Sequence, residues 1–512
     1  MIHKMFNKAK GILAIAALTA TISLAESYTT FAAPLKAGVV SVNITRDNPT
    51  TLINDPLYAK ILVLDDGSTR AVIITTDLIK IEDPLLREIR NRIQEELKIK
   101  WYNVMICASH NHQVNNQVAE DFITRIVNGV KTASQRMVNV KIGAGAGKED
   151  RITMNRRIEL TNGREWTIRR AIPSPQDEFV KGIADPFDPE IGILRIDKMD
   201  GKPLAVLYNF AGHPYGGVPN LGATACFSGF ASKTIEENLG NGAVALFLQG
   251  ALGDITPVLY KDMNAPRPSR TLGTLLGMST LDGHRKISTK KNAGINIIRE
   301  VVELPVRKDI QLRIDSLNAR RDRILDYFKG EGCGAHGAGT KLNFEAFLPL
   351  YIKYGLSPQY PSYYSYRYMQ EEKVGKNDLK MMDSVNRRDI AKYLNNIYKM
   401  EELIMIESNL LYLVEPLPED PIKVEIMAVR IGEFVLISFP GELFARIGLN
   451  IKQFSPYEYT YITSLTNGEI PGSYALSSDA YDGEAYEASC SKLAPEWQKI
   501  YENKVLEILN KL

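Results

Sequence analysis

The chain has 512 residues, 45% hydrophobic and 24% charged, with a formal net charge of +2. That balance is globular and long enough for one large domain or two to three smaller ones, and the lack of any block of lysine and arginine argues against a nucleic-acid partner. Four widely spaced cysteines, Cys107, Cys226, Cys333 and Cys490, form no C-x-x-C pair and so no disulfide framework or thiolate zinc site.

At the N-terminus, Lys4, Lys8 and Lys10 precede an apolar run from Gly11 to Ala25. This is the pattern of a secretory signal peptide over residues 1–25, with a second small-residue cleavage site as late as residue 33. The run is short for a membrane span, and an uncleaved anchor is the competing reading. Export would place the mature chain, from Pro34 on, outside the cell or in its envelope.

Lys36 to Val40 leads into a first strand. Two apolar runs, Ile61 to Leu64 and Ala71 to Ile74, flank Asp65-Asp66-Gly67 and predict a hairpin. Leu86, Ile89, Ile93 and Leu97 recur at helical spacing and predict an amphipathic helix over 83–98. It feeds Val104-Met105-Ile106-Cys107, too short for a helix and bounded by polar residues, hence a buried strand in which Cys107 is a small apolar residue. Strand, helix, strand is a βαβ unit.

That strand ends in Ser109-His110-Asn111-His112. In extended backbone two histidines two residues apart project to one side, and imidazole is the commonest protein ligand for zinc-like ions. By itself an H-x-H is equally well a pair of hydrogen-bonded loop histidines. Further on, Ile142 to Lys148 reads IGAGAGK; Glu149 follows the lysine and the glycine spacing is wrong for a phosphate loop, so a Gly-rich strand or turn is expected.

A turn at Asp185 to Pro189 precedes the strand Ile191 to Ile196, and Asp200-Gly201 joins it to Leu204 to Phe210, which ends in Gly212-His213-Pro214. The run Val244 to Leu248 ends likewise in Gly253-Asp254. From 308 to 420 the character changes: 309–328 and 376–413 read as charged helices around Cys333, His336 and a Tyr-dense stretch, Tyr351 to Tyr368. This is a helical, Tyr-rich insertion, its aromatic loop either packed or facing substrate or membrane. Strand pattern resumes at Val424 to Arg430 and Phe434 to Ser438, followed by Pro440-Gly441-Glu442 and a helix. His284 beside Arg285 reads as a solvated surface residue, and the Cys333–His336 spacing as chance.

The fold class expected is therefore α/β in the mixed α+β sense, a β-sheet core flanked by helices with a metal site at strand ends. His110, His213 and Glu442 all stand at strand tips, and two histidines with one carboxylate make a familiar zinc shell. A serine hydrolase is disfavoured because no G-x-S-x-G occurs.

The residues also resemble a known family, the neutral (non-lysosomal) ceramidases, over nearly all of the mature chain. KAGVVSVNIT, NVMICASHNH, NFAGHP, GALGDITP, ISFPGELF and SYALSSDAYDGEAYEAS stand in the family's order, and Tyr474 and Tyr486 keep its twelve-residue interval. The resemblance implies one catalytic Zn2+ held by His110, His213, Glu442 and Tyr474. It implies that His112 faces substrate, that Tyr486 sits over the scissile amide, and that Arg156 helps hold the substrate's polar group, with Thr256 a minor pocket residue. It differs at Gln113 to Asn116, where relatives have a Gly-rich turn, and at Phe230, where they have Asp. The family's C-terminal immunoglobulin-like domain is expected to be missing.

The implied function is hydrolysis of the N-acyl amide of ceramide or a related N-acyl lipid by metal-activated water, on a small amphiphilic substrate and with peripheral membrane contact as a further expectation. Two alternatives stand beside it: an exported zinc hydrolase of a non-lipid amide or ester, and a non-catalytic lipid- or glycan-binding relative.

Overall fold

The fold follows from strands whose both faces are apolar. Along Tyr58–Asp65, Leu62 and Leu64 enter one buried cluster, whereas Ile61 and Val63 enter another on the opposite face. Arg70–Thr76 and Val104–Ala108 divide in the same way, with Ile73 and Met105 on one side and Val72, Ile74 and Ile106 on the other. Side chains alternate across a strand, so such a run must be covered on both faces. Each large aliphatic side chain buried in this way contributes roughly 1.5–3 kcal/mol.

The computed structural model describes residues 34–168, 179–215, 222–257, 269–291, 293–332, 344–356, 365–483 and 485–512. An eight-stranded sheet runs, in spatial order, Val244–Gln249, Pro203–Phe210, Glu190–Lys198, Val138–Lys148, Lys36–Asn43, Tyr58–Asp65, Arg70–Thr76 and Val104–Ala108. A four-stranded sheet runs Ile295–Leu304, Ile422–Ile431, Phe434–Ser438 and Tyr459–Thr463. One cluster joins them: Leu62, Ile73, Met105, Leu194 and Leu207 of the first pack with Met427, Val429, Phe434, Leu436 and Tyr461 of the second. Helices Asp83–Leu97, Phe122–Gln135, Cys226–Leu239 and Ser269–Lys286 cover the far face of the first sheet, and Ala445–Phe454 and Trp497–Lys511 that of the second. The protein is thus a four-layer mixed α+β sandwich, a β-sheet core flanked by helices as the sequence indicated, with that core built of two sheets packed face to face. An apolar face does not say whether a helix or another sheet will cover it.

Most pairings are antiparallel, but three βαβ crossovers are parallel. They are Arg70–Thr76 with Val104–Ala108, Pro203–Phe210 with Val244–Gln249, and Phe434–Ser438 with Tyr459–Thr463. Their carboxyl ends carry the residues that matter below. The Gly-rich segment is a strand, Val138–Lys148, because Gly143 and Gly145 admit Ile287 and the backbone of Ser288 where a Cβ would collide.

The insertion forms helices Ile310–Gly332, Phe344–Leu356, Ser365–Lys373 and Asp378–Leu413. Ile310 and Leu317 pack on Ile406, Leu410 and Leu413, and Phe347 and Tyr354 on Ile390. Tyr354 is core, its hydroxyl donating to Asp383, whereas Tyr351 is exposed. Among the described residues no helix is long and apolar enough to cross a membrane. The segment read as a signal peptide, Cys333, His336, Tyr360, Tyr363 and Tyr364 lie outside the described residues, as do the side chains of Tyr366 and Tyr368.

Candidate metal centre

His110 does not stand in extended backbone. The strand ends at Ala108, and His110 has φ 63°, a left-handed conformation uncommon outside glycine. The turn is held by Ser109 N–H donating to Thr76 O, Asn111 N–H to Leu78 O, and the buried Asn111 side chain to Thr224 O at 2.7 Å. The two histidines do share one side, with Nε2 atoms 3.0 Å apart, but the turn brings them together rather than strand alternation. Strain of this kind clusters at functional sites. Asn115 and Asn116 also take positive φ, 49° and 58°. Asparagine is among the few residues that enter this region readily, so the loop keeps its turn without glycine.

His213 follows the strand Pro203–Phe210 and is fully buried. Its Nδ1 lies 3.2 Å from Leu252 O, and His110 Nδ1 lies 3.0 Å from Ile79 O. A carbonyl oxygen only accepts, so in both rings Nδ1 carries the proton and Nε2 a lone pair. Backbone carbonyls commonly orient metal-binding imidazoles in this way.

Glu442 follows the strand Phe434–Ser438, and a short parallel bridge sets it opposite Tyr474. Ser473, at φ 60°, donates its hydroxyl to Glu442 Oε1 at 2.8 Å. The other oxygen, Oε2, lies 3.4 Å from both His110 Nε2 and His213 Nε2. Glu442 Oε2 and His213 Nε2 are buried without a hydrogen-bond partner. Burial acts to raise the Glu442 carboxyl, while the nearby Arg156 charge and the Ser473 hydroxyl act to keep it ionised. Three lone pairs therefore face one another with no proton between them, an arrangement that costs free energy unless a cation lies among them. Ligands about 2.0–2.1 Å from a tetrahedral zinc stand about 3.3–3.4 Å apart, and the two 3.4 Å separations match. His110, His112 and His213 have ligand atoms within 4.8 Å of one another, so the site fits a metal ion.

Among the described residues three phenols lie around this centre. The buried Tyr474 hydroxyl accepts from Arg156 Nη2 at 2.9 Å. Burial raises its pKa well above the ordinary value, against the opposing Arg156 charge. Tyr486 is edge-on to Tyr474, ring centroids 5.8 Å apart. Tyr215 stacks on His213 at 4.4 Å and tilts against His112 at 4.5 Å. Burial lowers the His112 imidazole below its ordinary value, and burial, then Arg156, depress His213 well below its own. Both rings are neutral at neutral pH.

Arg156 is buried behind Tyr474, its Nε donating to Glu487 Oε1 at 2.6 Å and Nη2 to Gly253 O at 2.9 Å. Thr167 donates to the other Glu487 oxygen at 2.7 Å. Thr256 is buried, with Oγ1 unpartnered, and its strand pairs with the one leading into Arg156. Sequence reasoning named His110, His112, His213, Glu442, Tyr474, Tyr486 and Arg156, and all seven gather here. It missed Ser473, Glu487, Tyr215 and Thr167. The first two sit beside named tyrosines, Tyr215 two residues after His213, and Thr167 carried no signal. Phe230 instead packs between helices, under Arg270 and against Gly273. His284 is not a solvated surface residue: it is buried at the end of Ser269–Lys286, and burial lowers its pKa to about 4. Cys107 and Cys226 are buried and unbridged, and Cys490 is buried.

No family model matches the chain. Among solved structures it is similar to the neutral ceramidase from Pseudomonas aeruginosa, with a TM-score of 0.58 and 16% identity, over 94% of this chain and 75% of that one. A ceramidase complexed with C2 matches with the same TM-score and identity, over 93% and 75%. The chain has the fold of these proteins, and the ceramidase resemblance read from the motifs is present in the architecture.

Proposed function

We propose that this chain is a zinc-dependent amidohydrolase of the neutral-ceramidase type, cleaving the N-acyl bond of ceramide or a related N-acyl lipid. The observation that carries the proposal is the meeting of His110 Nε2, His213 Nε2 and Glu442 Oε2, two of them buried without partners, in a ceramidase fold. These three and Tyr474 would hold the ion. When bound, zinc lowers the pKa of a water to about 7 and polarises a carbonyl.

The chain's own groups supply the rest. Arg156 donates to Tyr474 and keeps positive charge behind its phenol. His112, neutral and half-buried, has a nitrogen that takes a proton from attacking water and returns it to the departing amine. Tyr486 donates to the carbonyl oxygen as negative charge builds there. We further infer export, from the segment Lys4 to Ala25, and contact with amphiphile assemblies, from exposed Met400, Ile404 and Leu411 on the helix Asp378–Leu413 and Val414 just past its end.

Purified protein would be assayed for bound metal, then incubated with N-acylsphingosine, other N-acyl lipids and soluble amides and esters. One equivalent of zinc and release of fatty acid are expected. Full zinc with turnover only of soluble substrates would move the activity to a non-lipid amide or ester, and absence of stoichiometric metal and of all turnover would leave a binding protein.

A further inference from the structure

The insertion has no part in the chemistry just proposed, yet its longest helix ends against the tail that carries Tyr486. Tyr412, in the last turn of Asp378–Leu413, stands edge-on to Tyr486 with ring centroids 5.0 Å apart and planes at 80°. Tyr486 is therefore held edge-on by two rings, Tyr474 from the metal side and Tyr412 from the insertion. Edge-to-face pairs at this spacing are attractive and fix ring orientation.

The backbone of Tyr412 is itself fixed. The helical partner of its carbonyl would be the amide four residues on, but that position is Pro416, which has no N–H. The buried Lys492 donates to Tyr412 O instead, at 2.7 Å, putting a cation at the negative end of the helix. Lys492 lies six residues beyond Tyr486 in the same tail. A second tie runs from Arg313 to Tyr481 O at 2.6 Å. Arg313 stands on the insertion's first helix, Ile310–Gly332, so the insertion and the tail hold one another on both sides of the phenol, through two different helices.

We propose that Tyr412 is a positioning residue for Tyr486, so that the insertion's last helical turn forms part of the active site. The inference rests on the role assigned to Tyr486 above. It is tested in the full-length protein with Tyr412→Phe, Tyr412→Leu and Lys492→Met, each alone and with Tyr486→Phe, reading kcat, KM and metal content. Tyr412→Leu should lower kcat about 3- to 10-fold, the worth of one edge-to-face pair, with KM and metal unchanged. Tyr412→Phe should match the wild type, and Lys492→Met should shift kcat in the same direction as Tyr412→Leu. Once Tyr486→Phe has removed the hydroxyl, adding Tyr412→Leu should change kcat by less than about 2-fold. An undiminished loss in that background, or a wild-type kcat in Tyr412→Leu, overturns the proposal. Fluorotyrosine labelling gives a reading that needs no turnover: the Tyr486 resonance, assigned through Tyr486→Phe, should move in Tyr412→Leu and in Lys492→Met. A resonance unmoved by both overturns the positioning contact even if Tyr412→Leu folds poorly, whereas an inactive wild type in which it does move would refute the proposed function instead.

Discussion

Two tyrosines twelve residues apart should behave differently when each loses its hydroxyl. Tyr474 accepts a hydrogen bond from the buried Arg156 guanidinium at 2.9 Å and stands beside Glu442 in the bridge register. Tyr474→Phe leaves that charged donor facing a ring edge. A hydrogen bond to a charged group is worth about 1.5–3 kcal/mol, so the metal-free protein should lose about that much stability. Its zinc retention should fall with its activity, since the proposed function makes Tyr474 a ligand. Tyr486 is half-buried and touches Tyr474 and Tyr412 through ring edges that phenylalanine preserves. Tyr486→Phe should keep its zinc and melt close to the wild type while losing roughly 10²–10³ in rate, the cost of one oxyanion donor. Denaturant unfolding in chelator, metal analysis and kcat on an N-acyl lipid, run side by side, check both. Loss of zinc from Tyr486→Phe with retention by Tyr474→Phe would refute the assignment of both residues.

Ser473→Ala removes the hydroxyl that orients Glu442, at 2.8 Å, and should weaken metal affinity by about 10–100-fold without changing the ligands, as read by competition with a chelator. At Asn116, φ 58°, glycine should be tolerated, whereas valine should cost about 1–2 kcal/mol in thermal or urea unfolding. Asp77 gives a pH test: burial pushes its carboxyl up to about 7 from an ordinary 3.8, against Lys60 and the Tyr58 amide. A raised carboxyl favours the folded state fully below about pH 4, and that contribution is lost as pH rises through about 7. Asp77→Asn removes this dependence, so relative to wild type it should be more stable at pH 8 than at pH 5; the opposite order in urea unfolding would refute the assignment.

Much of the molecule was legible in the chain because the signals were local. Alternating or continuous apolar runs marked the strands, helical spacing of Leu86, Ile89 and Ile93 marked a helix, and Asp65-Asp66-Gly67 marked a hairpin, as found. The metal-capable residues were legible too, since His110, His213 and Glu442 each stand within a few residues of a strand's carboxyl end. Tertiary structure alone decided the rest. Alternation reports that a face is buried but not by what, and only packing set one sheet on another. The H-x-H signal was right about the side but wrong about its cause, because a left-handed residue at His110 depends on bonds to Thr76, Leu78 and Thr224, residues far along the chain. His284 read as surface beside Arg285, yet a helix end turned it inward. Glu487 and Thr167 support Arg156 across more than three hundred residues, and no spacing in a linear sequence encodes a contact made only when the chain closes on itself.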